Sequence, residues 1–295
     1  IEDCLFIENN NKGLYLGGRL NSNVVIRRSR FVRNGCIGLS VVGCVNLLLE
    51  DCQTNLNNWR GAAAGMYRGW PCGFKISQSS GVTVRRHQSV RNLATGGWVD
   101  LNNRDVCIED SLFYGNFRGL HLEAGSGPFL VRRCQVIGNR QEPTIHEWRW
   151  AFGSGIVLTH VSDDLAQVGV RDDREVRVWL DADSCQRKEW HTERLRLVAN
   201  TIISSRLRPT LLHLPDESFD AGRFWKGFLA HSNTYVGEVG GKNFLIGATK
   251  PSADRTCKDG ELPPTARAID FLEWLDYSGQ DILSTYLPAH PCRLE

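Results

Sequence analysis

The sequence predicts an all-β fold, a parallel solenoid with three short strands and three turns per coil. Three observations lead there: a phrase returns at a nearly constant step, apolar residues alternate within each copy, and Asn and Gly punctuate the copies at matching places. The opening phrase Ile1–Asn9, "IEDCLFIEN", returns at Ile26–Asn34, Leu49–Asn57, Val84–Asn92, Ile108–Asn116 and Val131–Asn139, at steps of 25, 23, 35, 24 and 23 residues. Weaker copies follow at Leu197–Ile203 and Ala230–Val236. Alternation with period two marks each piece as a strand. A leucine-rich repeat has a similar period but needs an L-x-x-L-x-L phrase and a helical segment, and a propeller blade needs about 40 residues. Neither fits.

Composition sets the outer bounds. A hydrophobic content of 41% over 295 residues supports one large domain or two small ones. A net charge of +2 argues against a nucleic-acid partner, which needs a concentrated basic face. No apolar run approaches the ~18 residues of a membrane span. The chain begins at Ile1, without Met and in mid-repeat, so an additional N-terminal segment or chain is expected to complete the solenoid there.

Stacking equal positions builds columns along the axis. The third residue after each unit's start is Cys4, Ser29, Cys52, His87, Ser111, Cys134, Asn200 and Asn233. Small polar groups at one tight turn can bond the backbone of the next coil. The alternative is a metal or thiol site of Cys4, Cys52, Cys134 and His87. Coils lie about 4.8 Å apart, so Cys4 and Cys52, two coils apart, are separated by roughly 9–10 Å, beyond disulfide reach. The ten Cys include no CxxC and no zinc spacing. Packed, reduced thiols, a satisfied His87 and no metal or cofactor are expected.

The phrases "IEDSLFYGN" and "GLHLE" resemble the right-handed parallel β-helix proteins of the pectate-lyase-like group, over about residues 1–248. The resemblance implies a right-handed, single-stranded β-helix and, since many of the group act on polysaccharides, a polysaccharide or oligosaccharide substrate. The Cys/Ser/Asn column is similar to the family's asparagine ladder. The polygalacturonase phrases N-T-D, G-H-G and R-I-K are missing. The tail "FLEWLDYSGQDILS" (Phe271–Ser284) resembles the closing segment of such secreted proteins, which implies a secreted or cell-surface location.

Two copies of one strand carry acids. "GGWVDL" holds Asp100 and "RGLHLEA" holds Glu123, 23 residues on. The step from Val84 to Ile108 is 24, and the extra residue fits in the turn after Asn92, so Gly96 aligns with Gly119. Val99 then stacks on Leu122, facing in, while Trp98 stacks on His121 and Asp100 on Glu123, facing out. One coil earlier the outward columns hold Lys75 and Ser77; one coil later they hold Val157 and Thr159. Outward residues of a solenoid are ordinarily just solvated, but two stacked acids with no interleaved base are costly on a plain surface. The long insertions also flank this strand, near 58–72, 141–153 and 161–193, and insertions in repeats gather on the binding face. They supply Trp59, Arg60, Tyr67, Arg68 and Trp70, then His146, Glu147, Trp148, Arg149 and Trp150. Aromatic rings cover apolar sugar faces and Arg holds hydroxyls or carboxylates.

Asp100 and Glu123 are therefore the candidate catalytic pair. Lys75, Trp98, His121, Trp59, Arg60, Arg68, Trp70, His146, Trp148 and Arg149 are the candidate substrate-binding residues. Carboxylates on adjacent strands lie about 5–6 Å apart, the spacing of a retaining glycoside hydrolase, and splayed rotamers would admit a water and with it inversion. A lyase or epimerase is the alternative, with Lys75 or His121 as base, Arg60, Arg68 or a bound cation such as Ca²⁺ neutralising a uronate, and the acids as cation ligands. A non-catalytic carbohydrate-binding or adhesive solenoid is the third reading. Asp163, Asp164, Asp181 and Asp183 in the last insertion are expected to face solvent.

After about residue 248 the repeat stops, and 249–295 reads as a polar linker and a capping segment. Ile269, Leu272 and Leu275 have helical spacing and Gly279 ends the run, predicting a short helix packed on the last coil.

Overall fold

The computed structural model describes residues 1–18, 21–60, 71–123, 125, 127–139, 154–159, 178–180, 187–189, 194–204, 211–214, 228–237, 241–246 and 267–288. They form a right-handed parallel β-helix with three sheets, of nine, nine and seven strands, running the length of the solenoid. A complete coil contributes one strand to each sheet. Coil two, for example, runs Asn21–Arg27, Arg30–Val32 and Ile37–Val42. Among the described residues every pairing between coils is parallel until Arg267–Ile269 closes the second sheet antiparallel to Phe244–Ile246. A separate two-stranded antiparallel ribbon pairs Val178–Leu180 with Arg187–Glu189.

The core is the stack of inward columns. Leu39, Phe74, Leu120 and Ile156 form one, and Val41, Ile76, Val99, Leu122 and Leu158 another; all are buried in a single cluster. Two polar columns satisfy the buried backbone between them. One is the column read from the sequence: Cys4 N–H donates to Ser29 Oγ (3.1 Å), His87 N–H to Ser111 Oγ (3.1 Å) and Cys134 N–H to Asn200 Oδ1 (3.0 Å).

Asn200 donates through its backbone N–H and its side chain to Asn233 Oδ1 in the same column, and a longer asparagine ladder, which the sequence reading did not name, stands in another. It is the Asn that ends each unit: Asn9, Asn34, Asn57, Asn92, Asn116 and Asn139. Each Oδ1 from Asn34 on accepts both the backbone N–H and the side-chain amide of the Asn one coil before, as Asn116 does from Asn92 at 3.0 and 2.9 Å. An amide has two N–H donors where a thiol or hydroxyl has one, so each Asn can bond both the next rung and a carbonyl of the coil before, as Asn116 does with Asn139 and the Ser89 carbonyl. Glycines line this ladder because nothing larger fits: a Cβ on Gly96 would lie 2.6 Å from Asn116 Nδ2.

A third column pair, visible in the repeat only as two polar residues per unit, alternates in sign. It runs Glu2–Asp3, Arg27–Arg28, Glu50–Asp51, Arg85–Arg86, Glu109–Asp110, Arg132–Arg133. Arg28 Nε meets Asp3 at 2.8 Å, Arg86 Nε meets Asp51 at 2.7 Å and Arg133 Nε meets Asp110 at 2.7 Å. Hydrogen bonds from these arginines hold the Asp3, Asp51 and Asp110 carboxyls below their usual range. Such exposed pairs add little stability singly, but a slip by one coil would set like charges together.

The helix Phe271–Ser278 closes the C-terminal end. Asp270 and Glu273 form a capping box, and Gly279 at φ 62° ends the helix. Its packing face differs from the expected one. Trp274 is the fully buried residue and stacks on Phe244 (5.3 Å), whereas Leu272 is exposed and Ile269 lies in the preceding strand. The reason is polar: Trp274 Nε1 donates to Asp281 Oδ2 at 2.9 Å, and Asp281 also accepts from Tyr235 and Asn233. An aliphatic side chain offers no such anchor. Among the described residues no helix is long and apolar enough to cross a membrane.

Candidate functional site

The candidate site lies on the outward side of the second sheet, on Cys72–Ser77, Thr95–Asp100 and Arg118–Glu123. The registers match the sequence alignment. Lys75 pairs with Trp98 and Trp98 with His121; Ser77 pairs with Asp100; His121 and Glu123 meet Val157 and Thr159. Asp100 and Glu123 thus end two adjacent parallel strands on one face.

The backbone at Asp100 is held from both sides. Its carbonyl accepts Asn103 Nδ2 (2.5 Å), and the same amide reaches the carbonyl of Ile76 (3.0 Å). Leu101 and Asn102, both at left-handed φ near 50°, turn the chain away immediately after it.

The outward face is not an open surface. Lys75, Trp98, Asp100, His121 and Glu123 are all buried, none more than 7% exposed. This corrects the expectation of carboxylates projecting into an open groove. Cys36, Ile37, Cys72 and Trp98 form a buried apolar cluster here, separate from the core. No base is interleaved between the two stacked acids, but one reaches Asp100 from the side. Lys75 reaches across from the neighbouring column, and its Nζ lies 2.7 Å from Asp100 Oδ2. Burial requires this kind of pairing, because an isolated buried charge is costly.

Trp98 joins the two acids. Lys75 Nζ sits 3.8 Å above its ring, a cation–π contact, and His121 stacks on it at 5.0 Å and 21°. Its Nε1–H donates to Glu123 Oε2 at 2.9 Å, and His121 Nε2 is 3.8 Å from the same oxygen. Asp100 is thus paired with a cation, whereas Glu123 is held by a neutral indole and an imidazole.

Sequence reasoning missed one member. Arg118 begins the strand Arg118–Glu123, is buried, and places Nη1 3.2 Å from His121 Nδ1. The signal was available in the glycine column. Inter-coil pairing passes over Gly96 and Gly119, so alternation breaks there, and residues three apart, Arg118 and His121, meet on one side.

Of the loop candidates, Trp59 is half exposed and Arg60 turns toward the first coil, with Nη1 donating to the Asn10 carbonyl at 3.2 Å. Tyr67, Arg68, Trp70, His146, Glu147, Trp148, Arg149 and Trp150 lie outside the described residues, as do Asp163, Asp164, Asp181 and Asp183. Among the described residues no group of three or more His, Cys, Asp or Glu is arranged to hold a metal ion.

Comparison with curated proteins by sequence gives no match. Among solved structures, the chain is similar to the mannuronan C-5 epimerase AlgE4 A-module of Azotobacter vinelandii, with 14% identity and a TM-score of 0.40. The alignment covers 77% of this chain and 54% of that one, so the chain spans about half the length of the epimerase module. Residues 1–169, more than half of the chain, match the family model described as the right-handed beta helix region. With the three-sheet solenoid and its asparagine ladder, that match establishes that the chain belongs to the right-handed β-helix family.

Proposed function

We propose that this protein is a carbohydrate-active enzyme, a glycoside hydrolase that cleaves a polysaccharide or oligosaccharide with Asp100 and Glu123. One observation carries the reading: two carboxylates end adjacent parallel strands on one face, with unlike partners, an ammonium on Asp100 and an indole N–H on Glu123. Clusters of buried ionisable groups outside the core are costly and gather at functional sites.

Strands about 4.8 Å apart suit the short carboxyl separation of retaining enzymes. Asp100, ion-paired as a carboxylate, attacks the anomeric carbon as the glycosidic C–O bond breaks. Glu123 gives its proton to the leaving oxygen. In the second step Glu123 takes a proton from water, whose oxygen displaces Asp100.

The test is hydrolysis of a panel of defined oligosaccharides, with proton NMR following the anomer first released. Asp100→Asn and Glu123→Gln are each expected to remove most activity with the fold intact, and full activity in both would end the reading.

The basic groups of the same face favour a second reading, a lyase or epimerase acting on a uronate, with Lys75 as base and Arg118 facing the carboxylate. A lyase forms an unsaturated product that absorbs in the ultraviolet, and an epimerase changes configuration without releasing reducing ends. A binding solenoid does neither and keeps its affinity in Asp100→Asn.

A further inference from the structure

We infer that Arg118 is a positioning residue that locks His121 as the neutral tautomer with its proton on Nε2, so that His121 turns an N–H toward Glu123 and does not act as a base. The catalytic use of this lock rests on the hydrolase reading above; the lock itself does not.

The inventory of donors and acceptors decides the tautomer. A guanidinium has only N–H donors and stays charged. Arg118 Nη1 lies 3.2 Å from His121 Nδ1, so that nitrogen accepts and carries no proton. In a neutral imidazole the proton is then on Nε2. Nε2 is the atom that faces Glu123, 3.8 Å from Oε2. The ring cannot rotate freely between roles, because it is fully buried and stacked on Trp98.

The consequence reaches Glu123. Its Oε2 accepts from Trp98 Nε1–H at 2.9 Å, and His121 Nε2 faces the same oxygen from 3.8 Å, beyond hydrogen-bond reach. An oxygen that accepts from donors is poorly placed to carry a proton. His121 has neither lone pair available to take a substrate proton, since Nδ1 accepts from Arg118 and Nε2 is protonated. That removes His121 from the base role considered for it in a lyase.

The experiment is nitrogen-15 NMR of the whole chain with labelled histidine, at neutral pH. The protein has eight His, and the His121→Gln variant identifies the signals of His121. Nitrogen shifts and the two-bond and three-bond couplings to the carbon-bound ring protons distinguish the tautomers. The wild type is expected to show His121 as a single neutral form with Nε2–H. Arg118→Met is expected to give a tautomer mixture or an imidazolium, and Arg118→Lys, which keeps a donor, to restore most of the wild-type pattern. A wild-type His121 protonated on Nδ1, or on both nitrogens, would overturn the inference even if Arg118→Met fails to fold. So would unchanged His121 signals in a folded Arg118→Met. None of these readouts depends on turnover, so a failure of the hydrolase reading is seen separately in Asp100→Asn and Glu123→Gln.

Discussion

Trp98 and Glu123 stand on neighbouring coils two positions out of register, and the indole N–H of the one reaches the carboxylate of the other at 2.9 Å. The bond crosses between two columns, as does the Lys75–Asp100 pair beside it. The candidate site is built from these diagonal contacts, whereas the solenoid beneath is held by straight ladders.

Removing the indole donor while keeping the ring tests its role. Trp98→Phe retains an aromatic face for Lys75 and His121. A hydrogen bond to a charged group contributes about 1.5–3 kcal/mol, so the hydrolase reading expects kcat to fall about tenfold to a hundredfold. Steady-state kinetics on the best oligosaccharide check this, and an unchanged kcat would show that Glu123 needs no help from Trp98.

Lys75 and Asp100 should be coupled strongly because both are buried. Lys75→Met is expected to destabilise the fold by about 3–5 kcal/mol, the cost of breaking a buried pair from one side. The double variant Lys75→Met with Asp100→Asn should recover part of that loss. Urea unfolding of the four-member cycle measures it, and additive losses would contradict a direct pair.

Stability and activity should separate at the acids. If Glu123 is present for chemistry, Glu123→Gln keeps the acceptor for Trp98 and unfolds at the same urea concentration or a higher one, while activity is lost. A purely structural cluster predicts the reverse, a clear loss of stability and no catalytic phenotype.

His87 gives a pH dependence. Its ring is fully buried against Phe74, its Nε2 bonds Thr54 at 2.9 Å, and burial pushes its pKa down to about 3. The unfolded chain binds the proton near pH 6.5. The stabilisation is thus fully present above about pH 6.5 and is lost as pH falls toward 3, at about 1.4 kcal/mol per pH unit. Replacing it by the residue that fills the same column at positions 29 and 111, as His87→Ser, should flatten the slope between about pH 6.5 and 4.5 in urea titrations. An equal slope in both proteins would refute the assignment.

The asparagine ladder should be the most sensitive part of the solenoid. Asn116 accepts from Asn92 twice and donates to the Ser89 carbonyl and to Asn139. Asn116→Ala strands several buried groups at about 1–3 kcal/mol each. We expect a loss of at least about 3 kcal/mol by urea unfolding, and a loss under about 1 kcal/mol would mean the ladder is not under load.

Residue order alone sets the solenoid, its coil boundaries and the vertical register of the site. The registers Trp98 over His121 and Lys75 over Trp98 are readable because each coil repeats at a nearly fixed step and strands alternate with period two. A one-residue error would exchange Val99 for Trp98 in the core. The Glu–Asp and Arg–Arg pairs are legible in the sequence only as two polar residues per unit, and their pairing across coils comes with the fold. Folding in three dimensions settles what lies across columns and around them: that Lys75 answers Asp100, that Trp98 holds Glu123, that Arg118 joins the face, and that the whole face is buried. The helix shows the same division, with its limits legible from Asp270 and Gly279 but its buried residue chosen by the carboxylate of Asp281. Periodicity reports only which way a side chain leaves the backbone. Its final contacts depend on its length, its rotamer and the groups packed beside it, none of which repeats from coil to coil.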